Sequence, residues 1–283
     1  MELMKPVTKH NKKRILNIKK KTGLIIVMSL FFLVVVVLIG GSLNVDTIGI
    51  NLTEKNISPN KNYLFGTDWL GRDMFRRTLM GLSLSIKLGV LGAIGSTMIA
   101  VILGMTAATM GGRVDSFISW LIDLFLSIPH IVTLILISFS LGGGLKGVIV
   151  GLILTHWPNL ARVLRAEVMQ VRSSEYVQIS KRMGKSNAWI AIHHIFPLVL
   201  PQAIIGFVLL FPHAILHETS LTFLGLGISS NQPAIGVILS ESMKYLNSGM
   251  WWLAFFPGLS LLIVVLLFEV LGEKIQLFMN PVK

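Results

Sequence analysis

His213 and His217 stand four residues apart in the run Phe211-Pro-His-Ala-Ile-Leu-His217, and Glu218 follows at once. On a helix an i, i+4 pair shares one face, so both imidazoles project the same way. His130 and His156 lie in two other apolar stretches. Imidazole binds nickel, zinc, copper and iron, and its ordinary pKa of about 6.5 lets it charge in mildly acidic medium. Ionisable groups at membrane depth are costly; they usually face an interior and mark substrate paths. His130, His156, His213, His217 and Glu218 are therefore the candidate pathway residues. His213 and His217 are weak metal-ligand candidates, and no metal site is firmly specified. The plainer alternative for each histidine is a hydrogen bond between helices. Covalent catalysis has no visible basis: the chain has no Cys, no phosphate-binding Gly-x-x-x-x-Gly-Lys-Ser/Thr loop, no His-Glu-x-x-His and no Gly-x-Ser-x-Gly. The thirteen Met residues are scattered like ordinary apolar filling.

Membrane-crossing elements must carry these side chains. Of 283 residues, 53% are hydrophobic and 13% charged, against roughly a quarter charged in soluble domains. The net charge of +12 forms no stripe with interleaved aromatics, which argues against nucleic acid. Most of it falls at the ends of apolar runs, as cytoplasmic Lys and Arg do. A span needs about 20 apolar residues. Six stretches qualify: Leu24 to Gly41, Leu88 to Met110, Phe117 to Leu141, Val148 to Leu164, Val199 to Leu216 and Trp251 to Leu271. The third contains Pro129, and the second carries Gly89, Gly92, Gly95 and Gly104, which suit close helix packing in lipid. The fold class is thus all-α, a membrane protein of about six transmembrane helices.

Lys5, Lys9, Lys12, Lys13, Arg14, Lys19, Lys20 and Lys21 outweigh Glu2 at the start of the chain, which places the N-terminus in the cytoplasm. A cleaved signal peptide is the competing reading, but the apolar run is long for one and no small-x-small site closes it. Counting spans puts Gly111 to Arg113 and Arg165 to His194 inside, Gly142 to Lys146 outside, and both termini in the cytoplasm. Arg72, Arg76, Arg77 and Lys87 then fall outside, among Asp68 and Asp73. The expected organisation is a basic tail (1–23), a first span (24–43), an external segment (44–87), a core of five spans (88–271) and a cytoplasmic tail (272–283).

The basic loop at 165–197 is a second functional candidate. Ser173 or Ser174 can cap a helix whose first turn carries Glu175. Gly184 can take the left-handed conformation that stops it. A second helix, Asn187 to Ile195, is expected to end before Pro197. Tyr176, Ile179 and Met183, at i, i+3 and i+7, form an apolar face suited to a partner's groove. An amphipathic helix lying on lipid is the alternative.

This loop resembles the coupling loop of importer-type ABC permeases. Gly184 and Pro197 match, Gln178-Ile179-Ser180 stands where Glu-Ala-Ala is usual, and Glu175 lies one turn earlier. Upstream, Phe65-Gly66-Thr67-Asp68-Trp69-Leu70-Gly71-Arg72-Asp73, with Arg77 and Gly81, is similar to the signature of the dipeptide, oligopeptide and nickel subfamily. Downstream, Ser220-Leu-Thr-Phe-Leu-Gly-Leu-Gly227 and Gly236 match that subfamily too. The resemblance covers residues 63 to 283 and is to the second, C-type permease of a pair. Thr155-His156-Trp157 and the His213 to His217 run look more like nickel-type members.

The resemblance implies a subunit that translocates cargo without binding a cofactor or hydrolysing ATP itself. The implied partners are a second permease, two cytoplasmic ATP-binding subunits and an extracytoplasmic binding protein, besides membrane lipid. The implied location is a bacterial-type cytoplasmic membrane. Glu175, Tyr176, Gln178, Ile179, Ser180, Met183 and Gly184 are the implied ATPase-coupling residues. The implied cargo is nickel, cobalt or a related metal, as an ion, a histidine complex or a metallophore chelate; di- or oligopeptides are the competing cargo. A secondary transporter fits less well, since no internal repeat is evident and only Asp123 lies well inside a span.

Overall fold

A computed structural model of the chain describes residues 9–43 and 49–279. Among them no β-strand forms; one isolated bridge joins Thr67 and Asp73. The helices are α1 (Lys9–Ser42), α2 (Met74–Met110), α3 (Gly112–Ser127), α4 (His130–Ser140), α5 (Gly144–Arg172), α6 (Glu175–Arg182), α7 (Asn187–Ile190), α8 (Phe196–Phe223), α9 (Ile235–Met243) and α10 (Trp252–Met279). Five helical segments are long and apolar enough to cross a membrane, and α3 with α4 makes a sixth if the bent pair is one span. α1 takes in residues 9–23, read above as tail. Glu2 and Lys5 lie outside the described residues.

Most of the long helices overrun the apolar stretches at one end or both. α2 begins at Met74, well before Leu88, where the Asp73 carboxylate accepts from the Phe75 and Arg76 amides. At about 1.5 Å per residue α2 spans some 56 Å, so its first turns stand clear of a hydrocarbon layer of about 30 Å. The segment expected to be external (44–87) thus carries the start of α2. α8 runs on to Phe223, so His217 sits well inside a helix rather than at the end of a span.

The α2 glycines do pack closely. Ideal Cβ atoms at Gly92 and Gly95 meet the Leu152 and Ile153 side chains of α5 at 2.9 and 2.6 Å, and one at Gly104 meets the Ala161 carbonyl at 2.9 Å. Ser96 Oγ donates to the Leu152 and Ile153 carbonyls at 3.0 Å. α2 is the central helix, contacting α1, α5 and α8.

Two expectations fail for one reason, the chemistry of proline. Phe117 to Leu141 is not a continuous span: α3 and α4 meet at 97°. Ile128 is extended (ψ 136°) and Pro129 has ψ 123°, as the steric restriction on residues preceding proline favours for Ile128. At the other position the helix does not stop before Pro197. α7 passes through a π turn, Ala191–Ile195, into α8. Pro197 lies in the first turn of α8, where its missing N–H is tolerated.

Candidate substrate pathway and coupling surface

α4, α5 and α8 bring His130, His156 and His217 together. One nitrogen from each lies within 4.8 Å of the other two, and His156 Nε2 is 3.2 Å from His217 Nδ1. His130 stacks on His217 and meets His156 edge-on, with ring centroids 4.3 Å apart in both pairs. His156 is buried, and its Nδ1 lies 3.0 Å from the Leu152 carbonyl. A carbonyl only accepts, so Nδ1 carries the proton and Nε2 presents its lone pair to the cluster. That second-shell bond is how metal-ligating histidines are oriented.

His130 differs from the other two. Both its ring nitrogens are buried without a hydrogen-bond partner; the Thr155 carbonyl lies nearby but outside hydrogen-bond geometry. It is the first residue of α4, directly after the Pro129 break. The bend thus aims this imidazole at α5 and α8, which a straight third span would not do.

The other two pathway candidates lie elsewhere. His213 is exposed, one turn from His217 and outside the triad. Glu218 is fully buried on another face of α8, where its carboxylate accepts from Thr222 and Thr219 at 3.0 and 3.3 Å. Ser85 of α2 completes that shell. Glu218 therefore belongs to the α2–α8 packing rather than to the histidines. Asp123 of α3 pairs with Arg162 of α5 at 2.6 Å in an exposed position.

The Phe65 to Asp73 motif builds a buried ionic knot. Asp68 is fully buried; it accepts from the Leu70 and Arg72 amides, from Arg72 Nε at 2.6 Å and from Arg77 Nη1 at 3.2 Å. Arg77 also donates to Glu241 of α9. The Trp69 ring stacks on Tyr245 at 4.5 Å, and the Arg72 and Arg77 guanidinium groups lie 5.3 and 5.7 Å from its centroid. Gly71 has φ +73°, and a Cβ there meets the Asn51 carbonyl at 1.8 Å, so only glycine fits. Gly66, at φ +72°, is in the same position against Ile57. Thr67 bonds the Ile57 amide at 2.8 Å. These motif residues hold the start of α2 to α9. Glu241, the far partner, lies 164 positions from Arg77, and no sequence spacing marks it.

In the basic loop, α6 runs from Glu175 to Arg182 and Gly184 stops the turn at φ +81°. Ser174 occupies the N-cap by backbone geometry, but its hydroxyl donates back to Val171 instead of capping. Val177 alone is buried; Tyr176, Ile179 and Met183 are 42%, 55% and 75% exposed. Gln178 donates to the Arg172 carbonyl, and Ser180 Oγ lies 2.9 Å from His194 Nε2. The position usually held by Ala is thus a polar tie to the π turn.

Residues 96–277 match the family described as "Binding-protein-dependent transport system inner membrane component". The chain belongs to this family. The dipeptide transport system permease protein DppC of Bacillus subtilis (strain 168) is 35% identical over 92% of this chain and 80% of its own length. The oligopeptide transport system permease protein OppC of the same organism is 32% identical over 91% and 82%. The nickel transport system permease protein NikC of Escherichia coli (strain K12) is 29% identical over 84% and 86%. The permease is thus a member of the dipeptide, oligopeptide and nickel subfamily of ABC importers, a multi-pass membrane subunit and not an enzyme in its own right. Its fold also matches the MetNI methionine ABC transporter in an inward-facing form, with TM-score 0.59, 17% identity and coverage of 74% of this chain and 98% of that one. An importer permease works with ATPase and substrate-binding partners.

Proposed function

We propose that this permease passes a transition-metal ion, nickel, cobalt or a related ion, free or as a histidine or metallophore chelate. The observation that carries the reading is the convergence of three imidazoles from three helices. Imidazole suits these ions, and a cluster at membrane depth marks a path. The same reading takes the working complex as a second permease, two ATP-binding subunits and an external binding protein, in a bacterial-type cytoplasmic membrane with both termini inside. Glu175 to Gly184 receive the ATPase. His213, exposed one turn from the triad, serves as an outlying imidazole on the same helix. The test is uptake by the assembled complex: labelled nickel or cobalt, with and without chelator, against a labelled dipeptide. Metal uptake that a dipeptide does not compete with supports the reading.

A peptide cargo is the second reading, favoured by the higher identity to the dipeptide permease, 35% against 29%. It requires dipeptide uptake and little effect from removing the triad.

A further inference from the structure

The triad is divided between two bodies. His130 and His156 ride on α4 and α5, which are packed as one: an ideal Cβ at Gly147 meets the Ser138 carbonyl at 2.6 Å, and one at Gly151 meets Leu134 at 2.8 Å. His217 rides on α8. Residues 173–195, which hold α6, are the only covalent link between α5 and α8. Val177 fixes α6 into the core formed by Leu164 and Val168 of α5 with Ile195 and Val199. Between the triad and α6 the two bodies touch where Leu160 lies over Gly206; a Cβ at Gly206 meets Leu160 Cδ1 at 2.3 Å. Leu160 follows His156 by one turn toward α6, and Gly206 precedes His217 by three turns toward the same end.

We propose that the triad is a conformation-selective cation site. It takes a divalent transition-metal ion across α4–α5 and α8 in the state seen here, and gives it up when motion at α6 parts the two bodies about Leu160 and Gly206. The proposal rests on the metal reading above and adds its regulation. The spacing fits: nitrogen ligands at 2.0–2.1 Å around a tetrahedral ion lie about 3.3 Å apart, and His156 Nε2 and His217 Nδ1 are already at 3.2 Å. Binding needs one proton relocation. His217 Nδ1–H, which donates to His156 Nε2 in the absence of an ion, becomes a lone pair as the proton moves to Nε2 of the same ring. His130, without hydrogen bonds to break, closes the third position. Its place at the positive end of α4 disfavours a cation, which keeps the site weak enough to release. A ligand shifts a conformational equilibrium only by its differential affinity, and a site shared by two bodies has that difference built in.

The test is a Co(II) titration of the purified complex of permeases and ATP-binding subunits, followed by the visible absorption of imidazole-ligated cobalt. It is run without nucleotide and with a non-hydrolysable ATP analogue. The dissociation constants should differ by about fivefold or more, the lower end of typical coupling between sites. His130→Gln and His217→Gln should each abolish the tetrahedral band. Leu160→Ala should keep the band and reduce the nucleotide dependence to about twofold or less; Gly206→Ala probes the same contact if that variant does not assemble. Equal cobalt affinity in both nucleotide states, or a full difference in the contact variants, overturns this inference and leaves the metal reading standing. An absence of cobalt binding in the parent complex removes both.

Discussion

A buried polar group without a partner costs about 1–3 kcal/mol, and His130 carries two such nitrogens. Under the proposed metal reading, an ion shared with His156 and His217 would give one of these nitrogens its partner. Replacing His130, His156 or His217 by Ala should each lower labelled nickel or cobalt uptake about tenfold or more, the usual scale for disturbing a metal's surroundings. His213→Ala, outside the triad, should change uptake far less; membrane levels of each variant, measured by immunoblot, separate transport from insertion. A second prediction concerns Asp68, which is fully buried against Arg72 and Arg77. Asp68→Asn leaves a buried guanidinium short of its counter-charge, and removing one partner of such a pair costs about 3–5 kcal/mol. Thermal unfolding of the purified protein should fall clearly below the parent. Glu241→Gln, whose side chain is 23% exposed, should lower it less. A drop for Glu241→Gln as large as that for Asp68→Asn argues against the knot being centred on Asp68.

α6 is eight residues long with one buried side chain, so it depends on its neighbours for a fixed position. Gly184 at φ +81° cannot be replaced by proline, whose φ is held near −65°. Gly184→Pro should leave the protein inserted while abolishing ATP-driven uptake and weakening co-purification of the ATP-binding subunits; full co-purification with normal uptake removes α6 from the coupling role. Tyr176→Asp, on the exposed apolar face, should act in the same direction without touching the turn. Helix α6 and its stop were legible in the sequence because a capping position, an acid in the first turn and a glycine are local signals. So were the spans themselves, since hydropathy is additive along the chain. The α3–α4 bend was not, although Pro129 was visible: a proline kinks, caps or breaks a helix according to what packs around it. His130 was already a pathway candidate, but its meeting with His156 and His217 was hidden for the same cause. Helical spacing pairs His213 with His217, whereas the bend delivers His130 from another helix. Glu218 shows the converse, since adjacency to His217 in sequence puts it on a different face of α8.

For the whole molecule, the distribution of charge is what supports the proposed orientation. Arg165, Arg172, Lys181, Arg182 and Lys185 gather at the α5–α6 end, and cytoplasmic loops carry such an excess. The Arg72 and Arg77 charges that contradict this on a simple count are neutralised by Asp68 and Glu241. The proposed orientation rests on the loop and the basic start of the chain. Asn60 and Ser229 are exposed and belong to the segments read as external; Ser186 is exposed beside α6. The chain has no Cys, so a single introduced thiol reports without background. Asn60→Cys and Ser229→Cys should react with a membrane-impermeant thiol reagent in intact cells. Ser186→Cys should react only after the membrane is opened. That substitution weakens the cap on the Trp189 amide, a bond of 3.2 Å, by about 1 kcal/mol, too little to invert the protein. Labelling of Ser186→Cys from outside intact cells would place α6 beyond the reach of a cytoplasmic ATPase and, with it, overturn the coupling role of residues 175–184.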